Sequence, residues 1–124
     1  MKDQSNYIAL NKNAWNNKTE VHIASDFYDM KGFLEGKSTL NSIELELLGA
    51  ISNKKILHLQ CHFGQDTMTF ARMGAQATGI DFSEKAIAIY NYIQLESKTF
   101  SFEIFNKLAA VKANMEQSIR AIFF

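Results

Sequence analysis

Short apolar runs alternate with longer periodic segments through the middle of the chain. Ile56-Leu57-His58-Leu59 has the length and apolarity of a buried parallel strand and follows Lys54-Lys55. In residues 64–74 (GQDTMTFARMG), Met68, Phe70, Ala71 and Met73 supply the apolar faces of a helix, and Gly74 suits its C-terminal cap. Residues 76–81 (QATGID) predict a second strand, and Ser83 is placed to cap a helix through Ala86, Ile87, Tyr90 and Ile93. Thr99 to Ile104 alternates polar and apolar, the pattern of a half-buried strand. Asn106 can cap a last helix that carries Leu108, Val111, Met115, Ile119 and Ile122 at helical intervals. Upstream, residues 40–50 place Leu40, Ile43, Leu47 and Leu48 on one stripe, with Gly49 as a stop. Residues 1–39 are polar with scattered aromatics and predict short helices broken near Gly32 and Gly36.

From Lys54 the expected order is strand–helix–strand–helix–strand–helix. Such alternation predicts a parallel sheet with right-handed crossovers. Ligands bind such sheets outside the carboxyl ends of the strands, where residues 60–66 and Asp81–Phe82 fall. The pattern divides the chain into an N-terminal helical extension (1–53), an α/β core (54–105) and a C-terminal helix (106–124). No internal repeat or low-complexity linker interrupts it.

Composition adds limits. A chain of 124 residues suits one modest core. Thirteen basic residues balance thirteen acidic ones, so no basic excess points to nucleic acid or an anionic membrane. One cysteine, Cys61, cannot form an internal disulfide, in keeping with a reducing, cytoplasmic setting. The polar start is not a signal peptide, and no apolar run approaches the roughly 20 residues of a membrane helix. The chain has no proline, its glycines end at Gly79 and its aspartates at Asp81, while half of the phenylalanines lie in the last 25 residues. Composition therefore shifts after about residue 95.

The stretch LHLQCHFGQDT, residues 57–67, concentrates the candidate chemistry. His58, Cys61 and His62 invite a metal reading. Structural zinc normally takes four ligands, no second Cys/His cluster exists, and on a strand His58 faces away from Leu57 and Leu59. A metal site is not expected. Nor does Cys61 have an orienting partner for nucleophilic chemistry, so a small residue filling a turn is the simpler reading. A turn from a strand into a helix presents backbone N–H groups to a ligand. An acid ending the second strand can hold ribose hydroxyls, and Asp81 lies 21 positions after Gln60, near the spacing of about 20 that this role requires. Asp81 could equally cap the helix that follows, in competition with Ser83. The dinucleotide fingerprint needs three glycines for the pyrophosphate; Gln60, His62 and Gln65 stand in those places, which argues against NAD and FAD. S-adenosylmethionine carries no phosphate, and a turn with one glycine, Gly64, is compatible with it.

ILHLQCHFGQDTMTFARMGAQATGIDFSEKAI resembles the front of the Rossmann-like, S-adenosylmethionine-dependent methyltransferases. Within them it is similar to a branch whose first motif reads LHLQCHFGQDT in place of a glycine-rich one, and the upstream NKNAWNNKTEVHIASDFYD is similar to that branch's N-terminal extension. The resemblance covers roughly residues 7–90. It implies that Gln60, Cys61, His62 and Gly64 form the cofactor loop, that Asp81 holds the ribose and that Phe82 lies against the adenine. Trp15 and His22 fall in a region that can form a lid and receive no assigned role. No catalytic residue is implied, and the methyl acceptor stays unidentified. Family members continue to a fourth strand beside the first and to three more. Residues 95–124 do not match them, so the expectation is a truncated Rossmann-like α/β fold of about three parallel strands, with doubtful activity. The alternative is a non-catalytic α/β fragment or binding module that self-associates through the open edge of Ile56–Leu59.

Overall fold

The computed structural model describes residues 4–96, with side chains from 6 to 93. The expected strand at 99–104 and helix from 106 lie outside the described residues. The elements run α1 (Gln4–Ile23), α2 (Met30–Leu34), α3 (Ser42–Leu48), β1 (Lys55–Leu59), α4 (Gln65–Arg72), β2 (Gln76–Ile80) and α5 (Glu84–Glu96). The fold is mixed α/β, and the strands pair in parallel, from Lys55↔Gln76 to Leu59↔Ile80.

β1 and β2 are joined through α4, which packs on one sheet face. That face carries Ile56, His58, Ala77 and Gly79, and strand side chains alternate faces, so Leu57 and Leu59 point the other way. Ala77 packs with Phe70, Ala71, Ala75 and Ile51, and partly buried Ile56, Leu48 and Met73 close this cluster. The His58 ring lies edge-on to Phe70 at 5.5 Å, and its Nδ1 is 2.8 Å from Thr67 Oγ1. A second cluster joins Phe33, Met68, Tyr90 and Ile93, bringing the α2 segment and α5 onto α4. Leu57 and Leu59 stay 48% and 40% exposed. The expected burial of β1 on both sides is therefore corrected: among the described residues, α4 covers one face.

Helix ends follow local chemistry. Asn41 and Glu44 form a reciprocal capping box at α3, and Gly49 closes that helix. Ser83 Oγ accepts from Ala86 N at 3.2 Å, as an N-cap should. The N-terminal region differs from expectation. Residues 4–23 form one continuous helix, not short pieces, because no glycine or proline interrupts them. Gly32 lies inside α2, with its N–H received by the N-cap side chain of Asp29; Gly36 follows that helix with φ 102°. None of the described helices is long and apolar enough to cross a membrane.

Candidate functional site

The turn between β1 and α4 is built on left-handed backbone. Gln60 (φ 56°), His62 (φ 55°) and Gly64 (φ 80°) all have positive φ, a region that costs a non-glycine residue roughly 1–2 kcal/mol. Gln60 and His62 stand where a glycine-rich turn would carry glycine, and they hold a glycine-like path. Only Gly64 is compelled to be glycine by its surroundings: a Cβ there would lie 1.8 Å from the Tyr90 ring. The one glycine of the turn therefore makes room for α5 as well as for the chain path.

Internal hydrogen bonds hold this path. Cys61 N donates to Ile80 O at 3.0 Å, and Gly64 N donates to Cys61 O at 2.8 Å. His62 N donates to Asp81 Oδ2 at 2.8 Å, and Ser83 N donates to Asp81 Oδ1 at 2.8 Å. Asp81 is 6% exposed, so its carboxylate is the joint between the turn after β1 and the start of α5. Of the two expectations for Asp81, the structure bears on the capping one: Asp81 receives the amide just before α5, while Ser83 caps the helix proper. Phe82 beside it is half-buried, and Gln60 is exposed.

Cys61 sits under the turn, 4% exposed. A Cβ on Gly79 would come 2.8 Å from its Sγ, so strand and turn touch at this point. Burial, then the Asp81 charge, pushes the thiol up to about 12. It carries no thiolate at neutral pH, which is the state a nucleophile or metal ligand needs. Among the described residues no group of three His, Cys, Asp or Glu side chains converges on a metal position.

α1 reaches the turn through aromatic side chains that sequence left without a role. His22 Nδ1 lies 3.0 Å from His62 Nε2. Trp15 meets the His62 ring edge-on at 5.8 Å, and Tyr28 stacks on His22 at 4.9 Å. Tyr28 also lies 5.1 Å from Phe63. The signal that could have found this is the seven-residue interval from Trp15 to His22, two helical turns on one face; forty residues separate His22 from His62, and no local pattern predicts their meeting. Burial, then the neighbouring His22, lowers the His62 pKa, and Asp81 opposes the shift.

Tyr28 also lines a cleft of about 450 Å³, together with Asp29, Phe33, Thr39, Gln65 and Asp66. Gln65 Nε2 donates to Tyr28 O at 2.8 Å, and Thr39 Oγ1 donates to Asp66 Oδ1. The cleft thus opens at the first turn of α4, immediately after the left-handed turn. Its volume lies in the range of small-molecule sites.

No family model matches the chain, and no solved structure matches it. Among curated proteins it is similar to ubiquinone biosynthesis O-methyltransferases. Identity is 32% over 79 residues for that of Bordetella pertussis (60% of this chain, 33% of the relative). For Yersinia enterocolitica it is 30% over 81 residues (62% and 34%), and for Albidiferax ferrireducens 29% over 80 residues (62% and 32%). The chain spans about a third of the length of these relatives. The similarity supports a methyltransferase family.

Proposed function

We propose that this chain is the cofactor-binding part of an S-adenosylmethionine-dependent methyltransferase of the branch with LHLQCHFGQDT as its first motif. The observation that carries the reading is the link from His62 N to Asp81 Oδ2, which joins a left-handed turn at the end of one parallel strand to an acid at the end of the next. An ionised carboxylate offers about four acceptor positions, and two are used by His62 N and Ser83 N. The remaining lone pairs suit the two ribose hydroxyls. Half-buried Phe82 suits the adenine, and the exposed Gln60 amide suits a zwitterionic amino-acid end. Three of the turn's amides, those of Cys61, His62 and Gly64, are committed internally, and the remaining acceptor positions of Asp81 suit hydroxyl donors better than a pyrophosphate.

S-adenosylmethionine would supply a methyl group on a sulfonium, to be taken by an acceptor of the enzyme. This chain's residues would bind and orient; holding two reactants in line lowers such a barrier largely through positioning. The cleft at Tyr28, Gln65 and Asp66 is the natural space for a small acceptor, with aromatic walls for a ring and an Asp66 carboxylate for a polar substituent. Melting of the full chain with and without S-adenosylmethionine tests the reading. The expected result is a rise in Tm that saturates with ligand; an unchanged Tm at millimolar ligand contradicts it.

One observation favours a second reading, a binding module that pairs through its sheet. Leu57 and Leu59 are exposed on a strand that has one described neighbour. Sizing of the purified chain decides: a dimer that Leu57→Lys converts to monomer supports pairing, and a monomeric wild type argues against it.

A further inference from the structure

α1 lies across the ends of both strands, and its contacts form two rows. Lys12, Asn16 and Glu20, four apart, meet the start of α5. Lys12 pairs with Glu84 and Glu20 with Lys85, while Asn16 Oδ1 accepts from Ser83 Oγ at 2.6 Å and from Lys85 N at 3.3 Å. Both ion pairs are largely exposed, and such pairs contribute roughly 0–1 kcal/mol each. The second row, Trp15 and His22, meets His62 of the turn. We propose that His22 and His62 form a proton-controlled latch: the neutral pair closes α1 over the strand ends, and protonation of both rings releases it. Control of the cofactor site by this latch rests on the methyltransferase reading; the latch itself does not.

The chemistry follows from donor counting. A bond between two imidazoles needs one nitrogen to donate and the other to accept. A pair with no extra proton, or with one, satisfies this. A doubly protonated pair presents N–H at both facing nitrogens and two positive charges at 3.0 Å. Burial and His22 already resist the charge on His62, and Asp81 at the end of β2 opposes them. Two neighbours of the pair are held protonated while it titrates. Burial, then the Asp66 charge, raises the Tyr28 phenol, and the Cys61 thiol stands at about 12. Lys18 Nζ lies over the Trp15 ring at 4.7 Å. Imidazole is the side chain whose ordinary titration falls between pH 5 and 8. Because the folded pKa of His62 is depressed, the latch is fully closed above about pH 6.5 and weakens as pH falls below it.

Trp15, the sole tryptophan, lies 5.8 Å from the His62 ring and 6.2 Å from His22, so its fluorescence reports the latch. The test follows Trp15 emission and amide exchange in residues 4–23 of the full chain from pH 8 to 5. Emission and protection should stay level above about pH 6.5 and fall together below it. α1 should exchange about tenfold faster at pH 5.5 than at 7.5 after correction for intrinsic rates, the effect of one pKa unit of coupling, while 65–72 stay protected. His62→Gln should remove this step, and His22→Gln should reduce it, because burial as well as His22 resists the charge on His62; if one variant does not fold, the other decides. A pH-independent α1 in wild type, or a step undiminished in a folded variant, overturns the latch. S-adenosylhomocysteine binding is then measured at both pH values. Different affinities support control of the site, and equal affinities overturn it. Binding at neither pH with the step intact overturns the cofactor reading and leaves the latch standing.

Discussion

The backbone N–H of His62 donates to Oδ2 of Asp81 at 2.8 Å, so the end of β1 and the end of β2 are fastened by one buried carboxylate whose other oxygen receives Ser83 N. Asparagine at this position can accept only one of these bonds and presents NH₂ to the other amide. Asp81→Asn should therefore lower stability by about 1–3 kcal/mol, the cost of leaving a buried donor unsatisfied. Urea unfolding of both proteins checks this; an unchanged midpoint means that Asp81 does not fasten the turn.

Gly64 is the position where size and backbone conflict most sharply. A methyl group would overlap the Tyr90 ring and would sit at φ 80°. Overpacking costs roughly 1–3 kcal/mol and left-handed backbone roughly 1–2. Gly64→Ala is expected to lose about 3 kcal/mol in chemical denaturation. Recovery in the double variant Gly64→Ala/Tyr90→Leu would identify the ring as the obstacle; equal losses in single and double variants would point elsewhere.

Tyr90 is fully buried, and its hydroxyl has no hydrogen-bond partner among the described residues. Burial, with Cys61 nearby, raises its pKa, so the hydroxyl stays protonated. Phenylalanine keeps the ring against Phe33, Met68 and Ile93 and removes the orphaned group. Tyr90→Phe should raise stability by about 1 kcal/mol, since an unmade buried bond costs about 1–3. A Tm lower than that of wild type would mean that the hydroxyl has a partner in solution.

Much of the core was legible in the chain because its order follows apolar spacing. β1, α4, β2 and the start of α5 lie within a residue or two of where the pattern of Ile56 to Leu59, Met68 to Met73 and Ala86 to Ile93 puts them. α1 was not legible as one helix, because its seat is polar: Lys12, Asn16, Glu20 and His22 anchor it, and no apolar stripe marks such a face. The open edge of Ile56–Leu59 was expected, but the exposed face with Leu57 and Leu59 was not, since composition cannot say which sheet face a helix covers. At the site, Gly64 and Asp81 stood out by spacing. The left-handed Gln60 and His62 did not, because neither residue type signals positive φ. The His22–His62 contact joins segments forty residues apart and leaves no local trace.

The half-buried His58 and His62 set a pH dependence of stability as a whole. Burial lowers the pKa of His58, against the charges of Asp66, Asp81 and Glu44, and of His62. Above the ordinary value of about 6.5 both are neutral, folded or unfolded, and the full stability is present. As pH falls below it, the unfolded chain takes up protons that the folded chain resists. Stability then drops by up to about 1.4 kcal/mol per pH unit for each histidine until its folded pKa is passed. Urea midpoints at pH 7.5 and 5.5 should differ in that sense, and His58→Gln should reduce the difference. Equal midpoints would contradict the burial of both rings.

The central claim is that the strand ends joined by His62 and Asp81 bind S-adenosylmethionine. Calorimetry of the full chain with S-adenosylhomocysteine at pH 7.5 tests it most directly. The account predicts saturable binding at one site, weakened at least tenfold in folded Asp81→Asn. Absence of binding by a folded, monodisperse chain would contradict it.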